Sequence, residues 1–368
     1  MHRAGSSASR PAGRARRRAL DTATAPRPCF SHERPALKTG PEREETRPRD
    51  KPGAARMADA ATLDAIRITL DPGSRAALPV ILGVIMFSVA LNLRVEDFAF
   101  LKSQPLRFLG AAAAQVIALP AATLLLILAI DPIPSIALGM IVVACCPGGN
   151  VSNFFTHLGR GDAAFSVSLT ATSSLGAALL TPVSIFFWAS VYPPTAALIT
   201  AIDVQPAPFL IQTTTILAIP LALGMTLAHF APKLAARIRP ALSGLSLAAL
   251  AAICIAGLQG NWALFLAAGA STLPIVVAHN AMAFLLGAAW GRMLAFGPER
   301  RRSMTFEVGI QNSGLGLVIL LGQFEGLGGA AAITALWGIW HLISGLALSG
   351  GFRALDAVQA RARPHGAK

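Results

Sequence analysis

The sequence predicts an all-α protein that crosses a membrane about nine times, and three observations carry that expectation. Apolar residues make up 54% of the chain and charged residues only 13%, whereas a soluble domain usually has about a quarter of its residues charged. The apolar residues gather in long uncharged blocks, and the mean hydropathy is +0.58. Lysine and arginine sit at the ends of those blocks, where membrane orientation puts them.

The blocks run over residues 77–93, 106–130, 133–158, 163–191, 208–231, 240–258, 263–291, 303–324 and 329–352. Each is long enough to cross a hydrocarbon core about 30 Å thick, the first of them only just. In lipid the backbone must satisfy itself, so a span is a helix or a strand of a closed barrel. Blocks this long without polar alternation mean helices.

The charges between blocks test the count. Arg94, Lys102 and Arg107 follow the first span; then, at every second connection, come Arg160; Lys233, Arg237 and Arg239; and Arg292 with Arg300 to Arg302. The tail over 353–368 adds Arg353, Arg361, Arg363 and Lys368. The intervening connections hold only Asp131, Asp203 and Glu325. Nine spans thus give alternating loops of opposite sign, with the C-terminus cytoplasmic and the N-terminus outside.

Residues 1–76 form a basic extension ahead of the first span. Its first 56 residues hold fourteen Lys and Arg against six Asp and Glu, with many Pro and Ser. Such a stretch cannot bury enough surface to offset its ordering entropy, and disorder is expected. Carrying it outside opposes the positive-inside rule, and a start at Met57 removes most of that conflict; N-terminal sequencing of the native protein decides it. An added helix over 58–75 is interrupted by Asp64, Arg67, Asp71 and Arg75.

The net charge of +13 does not form a basic face, so nucleic-acid binding is not supported. Cys29, Cys145, Cys146 and Cys254 fit neither a disulfide framework nor a zinc pattern. With no HExxH pattern and no Cys/His cluster, no metal-enzyme site is expected. His279, beside Asn280, reads as a buried hydrogen-bonded residue, and His157 as solvated.

Two spans are interrupted. Cys145-Cys146-Pro147-Gly148-Gly149-Asn150, followed by Ser152 and Asn153, breaks the third; Glu307-Val308-Gly309-Ile310-Gln311-Asn312-Ser313-Gly314 breaks the eighth. Proline and glycine free backbone groups at mid-depth, which is tolerated only where they line a cavity or are buried in protein. Each broken span sits between two unbroken ones, and the two run in opposite directions, as in an inverted repeat. Paired interruptions of this kind point to a transporter's substrate and ion site.

Glu307 is the only acidic residue within the body of a span. A charge there costs a few kcal/mol and calls for a partner. It reads either as a helix-end residue that snorkels, five residues after Arg302, or as an oxygen ligand for a hard cation. Gln311, one turn on, shares its helical face, and Ser166 and Thr170, four apart, point their hydroxyls the same way.

Together the motifs CCPGGNVSN (145–153), GDAAFSVSLTATSS (161–174), EVGIQNSGL (307–315) and WHLISG (340–345) resemble the bile acid:sodium symporter family, over about residues 77–350. The resemblance implies a core domain with two crossed broken helices (spans 106–191 and 263–352) and a panel domain (77–93 and 208–258). It implies one sodium site at Ser152, Asn153, Ser166, Thr170 and Glu307. A second is implied at Gln115, Glu307, Gln311 and the carbonyls of Val308 and Ile310, with Glu307 bridging two Na+ ions. Asn312 and His341 match substrate-side positions, and Asn150 stands where a hydroxyl residue is common. Bacterial members often have ten spans, of which this chain lacks the first. The implied activity is sodium-coupled symport of an organic anion by alternating access in a bacterial inner membrane.

Other readings compete. A proton-coupled carrier needs an intramembrane Glu but no cage of neutral oxygens. A passive channel or a receptor-like protein is also compatible. Gly159-Arg160-Gly161-Asp162 fits the GxGD pattern of intramembrane aspartyl proteases, but that chemistry needs a second nearby carboxylate, and no other Asp lies in a span.

Overall fold

Residues 72–93, 97, 99–260 and 262–362 are described in the computed structural model. The expected disorder of 1–56, the start at Met57 and residues 363–368 lie outside them. Among the described residues every regular element is helical, and the one β feature is an isolated antiparallel bridge between Gly148 and Gln311.

Helix α1, Pro72–Ala90, begins before the expected span, with Pro72 at its start. After a short α2, Ala99–Ser103, one long rod forms: α3 Pro105–Ala113, a π turn over Ala114–Ala118, and α4 Leu119–Ile130. Pro120 explains the wide turn, because its ring has no N–H to donate and crowds the carbonyl one turn back. Next come α5 Pro134–Cys145 and α6 Asn150–Leu158, then α7 Ala163–Val191 with the bounds the sequence predicts. A further helix, α8 Pro193–Ala201, occupies a connection that the sequence left unstructured. The rest are α9 Pro206–Phe230, α10 Pro232–Gly260, α11 Trp262–Met293, α12 Pro298–Gly309, α13 Ser313–Gln323 and α14 Gly328–Ala362.

Five of these stretches are long and apolar enough to cross a membrane unaided: Pro105–Ile130, Ala163–Val191, Pro206–Phe230, Thr272–Met293 and Gly328–Arg361. Shorter apolar helices lie at Ala76–Ala90, Pro134–Cys145 and Ser313–Gln323. The chain is therefore an all-α polytopic membrane protein. Its outward surface is apolar, with Leu125, Leu179, Phe187, Ile219, Leu285 and Leu346 all exposed, as a lipid-facing surface should be.

Polar anchoring gathers in the connections. The acidic residues of three of them, Asp131, Asp203 and Glu325, each adopt positive φ (43°, 54° and 52°) just past a helix end. Tyr192 donates to Asp131 at 2.9 Å. Arg300 pairs with Asp162 at 3.0 Å, and Asp356 accepts from both Arg160 and Arg302. Asp356 can do this because α14 continues through the expected tail to Ala362. At roughly 50 Å it outruns the hydrocarbon core.

α1 packs chiefly on α9 and α10. The half-helices α5, α6, α12 and α13 pack with α4, α7, α11 and α14, and this second group positions the site.

Candidate functional site

The two interruptions meet. Pro147 has no N–H, and Cys146 before it is extended (φ −74°, ψ 153°), which ends α5. At the other break Ile310 is extended (φ −116°, ψ 102°) and ends α12. The extended pieces cross and pair: Gly148 bridges Gln311, and the Asn312 amide donates to the Pro147 carbonyl at 2.9 Å. Backbone groups freed by each break thus satisfy the other.

Glu307 lies at this crossing with no solvent exposure. The snorkelling reading therefore fails, and the Arg302 near it in sequence pairs with Asp356 instead. Its partners are hydroxyls and an amide. Glu307 Oε1 lies 2.7 Å from Ser152 Oγ, 2.5 Å from Ser166 Oγ and 2.9 Å from Thr170 Oγ1. Thr170 Oγ1 is also 2.9 Å from Oε2, and Gln115 Nε2 is 3.3 Å from it. Ser166 and Thr170 thus act from one face of α7, as their spacing predicts. Gln115 reaches in from the π turn, an irregularity often found at functional sites.

Each of the three hydroxyls has one proton to give and more oxygen neighbours than that. Ser152 Oγ is also 2.6 Å from the Gly149 carbonyl. Ser166 Oγ is also 2.8 Å from Asn153 Oδ1 and 3.1 Å from Thr156 Oγ1. Thr170 Oγ1 is also 3.2 Å from Asn153 Oδ1. The cluster is rich in oxygen and poor in protons, which is the donor chemistry of a hard-cation site.

Gln311 arrives by a different route from the one its spacing suggests. The helix ends at Gly309, so Gln311 shares no helical face with Glu307; its side chain folds back, and Nε2 donates to the Val308 carbonyl (2.8 Å) and the Glu307 carbonyl (3.3 Å). Gln115 Nε2 likewise donates to the Glu307 carbonyl at 2.7 Å. Since only the amide nitrogens can serve carbonyls, both Oε1 atoms face away, and both are buried without a hydrogen-bond partner. Buried acceptor oxygens left without a donor are groups whose need a cation can meet.

The three substrate-side candidates are less tightly gathered. Asn150 is exposed at the start of α6, and Asn312 caps α13, its Oδ1 accepting from the Leu315 amide at 3.0 Å. Both stand at half-helix N-termini. His341 is buried on α14.

Asp162 has a structural role. It caps α7 by accepting from the Phe165 amide at 3.0 Å, and it pairs with Arg300. Asp162→Ala is expected to cost about 1 kcal/mol of stability by loss of the cap, measured as a lowered thermal midpoint in detergent. His279 is held by Thr123 at 2.8 Å and His157 is exposed, as expected. Cys145 and Cys146 are free thiols. Among the described residues no cluster of His, Cys, Asp and Glu could hold a metal, so the hard-cation set above is one of hydroxyls, amides and a single carboxylate. Sequence reasoning missed the role of Asn280, whose Nδ2 donates to the Gly309 carbonyl at 2.7 Å. Its only signal was an amide side chain in an apolar span.

Residues 79–268 match a family model described as the Sodium Bile acid symporter family. That match takes in the first break and ends before Glu307. Over 272 residues the chain is 31% identical to a Bacillus subtilis protein named an uncharacterized sodium-dependent transporter, covering 74% of this chain and 81% of that one. It is 28% identical over 272 residues to a probable chloroplastic sodium/metabolite cotransporter of Arabidopsis thaliana, covering 74% of this chain and 65% of the relative. The human ileal sodium/bile acid cotransporter is 27% identical over 248 residues, 65% of this chain and 67% of its own.

Proposed function

This chain belongs to the sodium bile acid symporter family, and on that premise we propose that it couples the entry of sodium to the symport of a small organic anion. One observation carries the reading: Ser152, Ser166 and Thr170 bring more oxygen contacts than protons to the buried Glu307. Oxygens held this close without a proton between them repel, and a small cation makes the cluster attractive. A proton on Glu307 would relieve only one such contact, so a metal cation is favoured over a proton as the coupling ion.

Two Na+ ions are proposed as co-substrates. Ser152, Asn153, Ser166, Thr170 and Glu307 hold one; Gln115, Glu307, Gln311 and the carbonyls of Val308 and Ile310 hold the other. Glu307 serves both. Charge drives this assignment, because one carboxylate shared by two cations leaves a positive centre beside the crossing. The N-termini of α6 and α13 add their positive dipole ends there, and Asn150, Asn312 and His341 are the proposed contacts for the anion. Support for an organic anion comes from the relatives' names, a bile acid in one and a metabolite in others.

In the proposed cycle the helices around the crossing form the core, and α1, α9 and α10 form the panel. Ion loading shapes the anion site, and the loaded core moves against the panel to open the other side. The proposed setting is a bacterial inner membrane, crossed nine times, with the C-terminus in the cytoplasm.

The test is uptake of labelled organic anions, from steroid carboxylates to small carboxylates, into proteoliposomes holding the purified chain. An inward sodium gradient is expected to drive accumulation of at least one of them. Uptake that ignores sodium, or follows only a pH gradient, overturns the reading.

A further inference from the structure

We infer that Asn280, held by Ser344, is a positioning residue for the second sodium site, acting through the carbonyl of Gly309; the inference rests on the sodium reading above. Gly309 is the last residue of α12, and its carbonyl is one of the acceptors that a helix C-terminus leaves without an intrahelical donor. Because Ile310 leaves the helix at φ −116° and ψ 102°, the helix does not continue to supply one. Asn280, fully buried on α11, does so: its Nδ2 donates to Gly309 at 2.7 Å.

The amide is itself held. Ser344 Oγ, on α14, donates to Asn280 Oδ1 at 2.6 Å. Only nitrogen can donate to a carbonyl, so the orientation follows from chemistry. Three helices are thereby tied at the break. α11 also supports α12 sterically, since Gly309 lies so close to the Phe284 ring that a Cβ there would collide with it.

The consequence for the ion site follows from backbone geometry. Consecutive carbonyls on either side of an extended residue face opposite ways. With Ile310 extended, pinning the Gly309 carbonyl toward α11 turns the Ile310 carbonyl to the opposite side. Ile310 is one of the two carbonyls proposed for the second site, and the other, Val308, is already tied to Gln311 at 2.8 Å. Asn280 thus sets the direction of a ligand that it does not itself touch. A buried asparagine that merely satisfied a helix end would affect folding and leave sodium affinity alone.

The test uses the full chain in detergent and in proteoliposomes. Sodium-dependent thermal stabilisation and sodium-driven uptake are titrated for the wild type, Asn280→Leu, Ser344→Ala and Ser344→Thr, with the midpoint in sodium-free buffer as the structural readout. Asn280→Leu is expected to raise the half-saturating sodium concentration about tenfold and to lower the Hill coefficient, as loss of a buried hydrogen bond of ordinary strength would do. Ser344→Ala should shift it about threefold and Ser344→Thr, which keeps the hydroxyl, should restore it. Should Asn280→Leu fail to fold, the Ser344 pair decides: a shift in Ser344→Ala that Ser344→Thr restores supports the role, and two unshifted variants overturn it. A folded Asn280→Leu with unchanged sodium half-saturation overturns the positioning role alone. A wild type without any sodium response overturns the sodium reading and this role with it.

Discussion

Glu307→Ala is expected to abolish sodium-driven uptake while leaving a folded chain. The carboxylate supplies the only negative charge at the crossing, and every proposed ion ligand set includes it. Loss of one charge-assisted contact worth about 3 kcal/mol corresponds to roughly a hundredfold loss in sodium affinity. Folding should suffer much less, because each hydroxyl keeps another acceptor: Ser152 has the Gly149 carbonyl at 2.6 Å, and Ser166 and Thr170 have Asn153 Oδ1 at 2.8 and 3.2 Å. Removing a buried charge also removes its desolvation cost. Uptake in proteoliposomes and the sodium-free thermal midpoint, measured together, check both halves. Full sodium-driven uptake in Glu307→Ala would sink the mechanism, and Glu307→Gln separates loss of charge from loss of volume.

Gly148→Ala is expected to close the same site from the opposite side. A Cβ on Gly148 would sit 2.9 Å from Glu307 Oε2 and 3.1 Å from Gln115 Nε2. The bridge from Gly148 to Gln311 resists a backbone shift, whereas the near atoms are side-chain ends. The Glu307 and Gln115 side chains must therefore move apart, and the sodium half-saturation should rise at least about tenfold, alongside an overpacking cost of about 1–3 kcal/mol. Gly149→Ala is the matched control. Its Cβ would meet only Asn312 Cβ at 3.9 Å, an ordinary contact, so sodium dependence near wild type is expected. Equal sodium affinity in Gly148→Ala and Gly149→Ala would show that the placement of Glu307 and Gln115 against Gly148 has no part in holding an ion.

Much of this site was legible before the fold was known, for reasons that differ by residue. Pro147, Gly148 and Gly149 announce a break because proline removes a donor and glycine lacks a Cβ, whatever surrounds them. Glu307 stands out because a carboxylate in an apolar span is costly wherever it points. Ser166 and Thr170 pair because helical spacing is local. Gln115 carried no such signal; its place among the ligands came from family resemblance, and its access to Glu307 depends on a π turn ahead of Pro120. Asn280 was visible only as an amide in an apolar block. α8 was missed because a helix of nine residues between spans has little apolar length to mark it.

The sequence by itself determined that the chain is helical and crosses a membrane, where its helices break, and which carboxylate lies within the apolar body. Those properties follow from backbone chemistry and transfer energy, which each residue carries alone. Tertiary structure decided what Glu307 meets. The crossing joins Gly148 to Gln311, far apart along the chain, and sets Ser152, Ser166, Thr170 and Gln115 around one carboxylate. The charge is tolerable at that depth because four helical segments converge on it, and convergence between segments so distant in sequence leaves no periodicity to read.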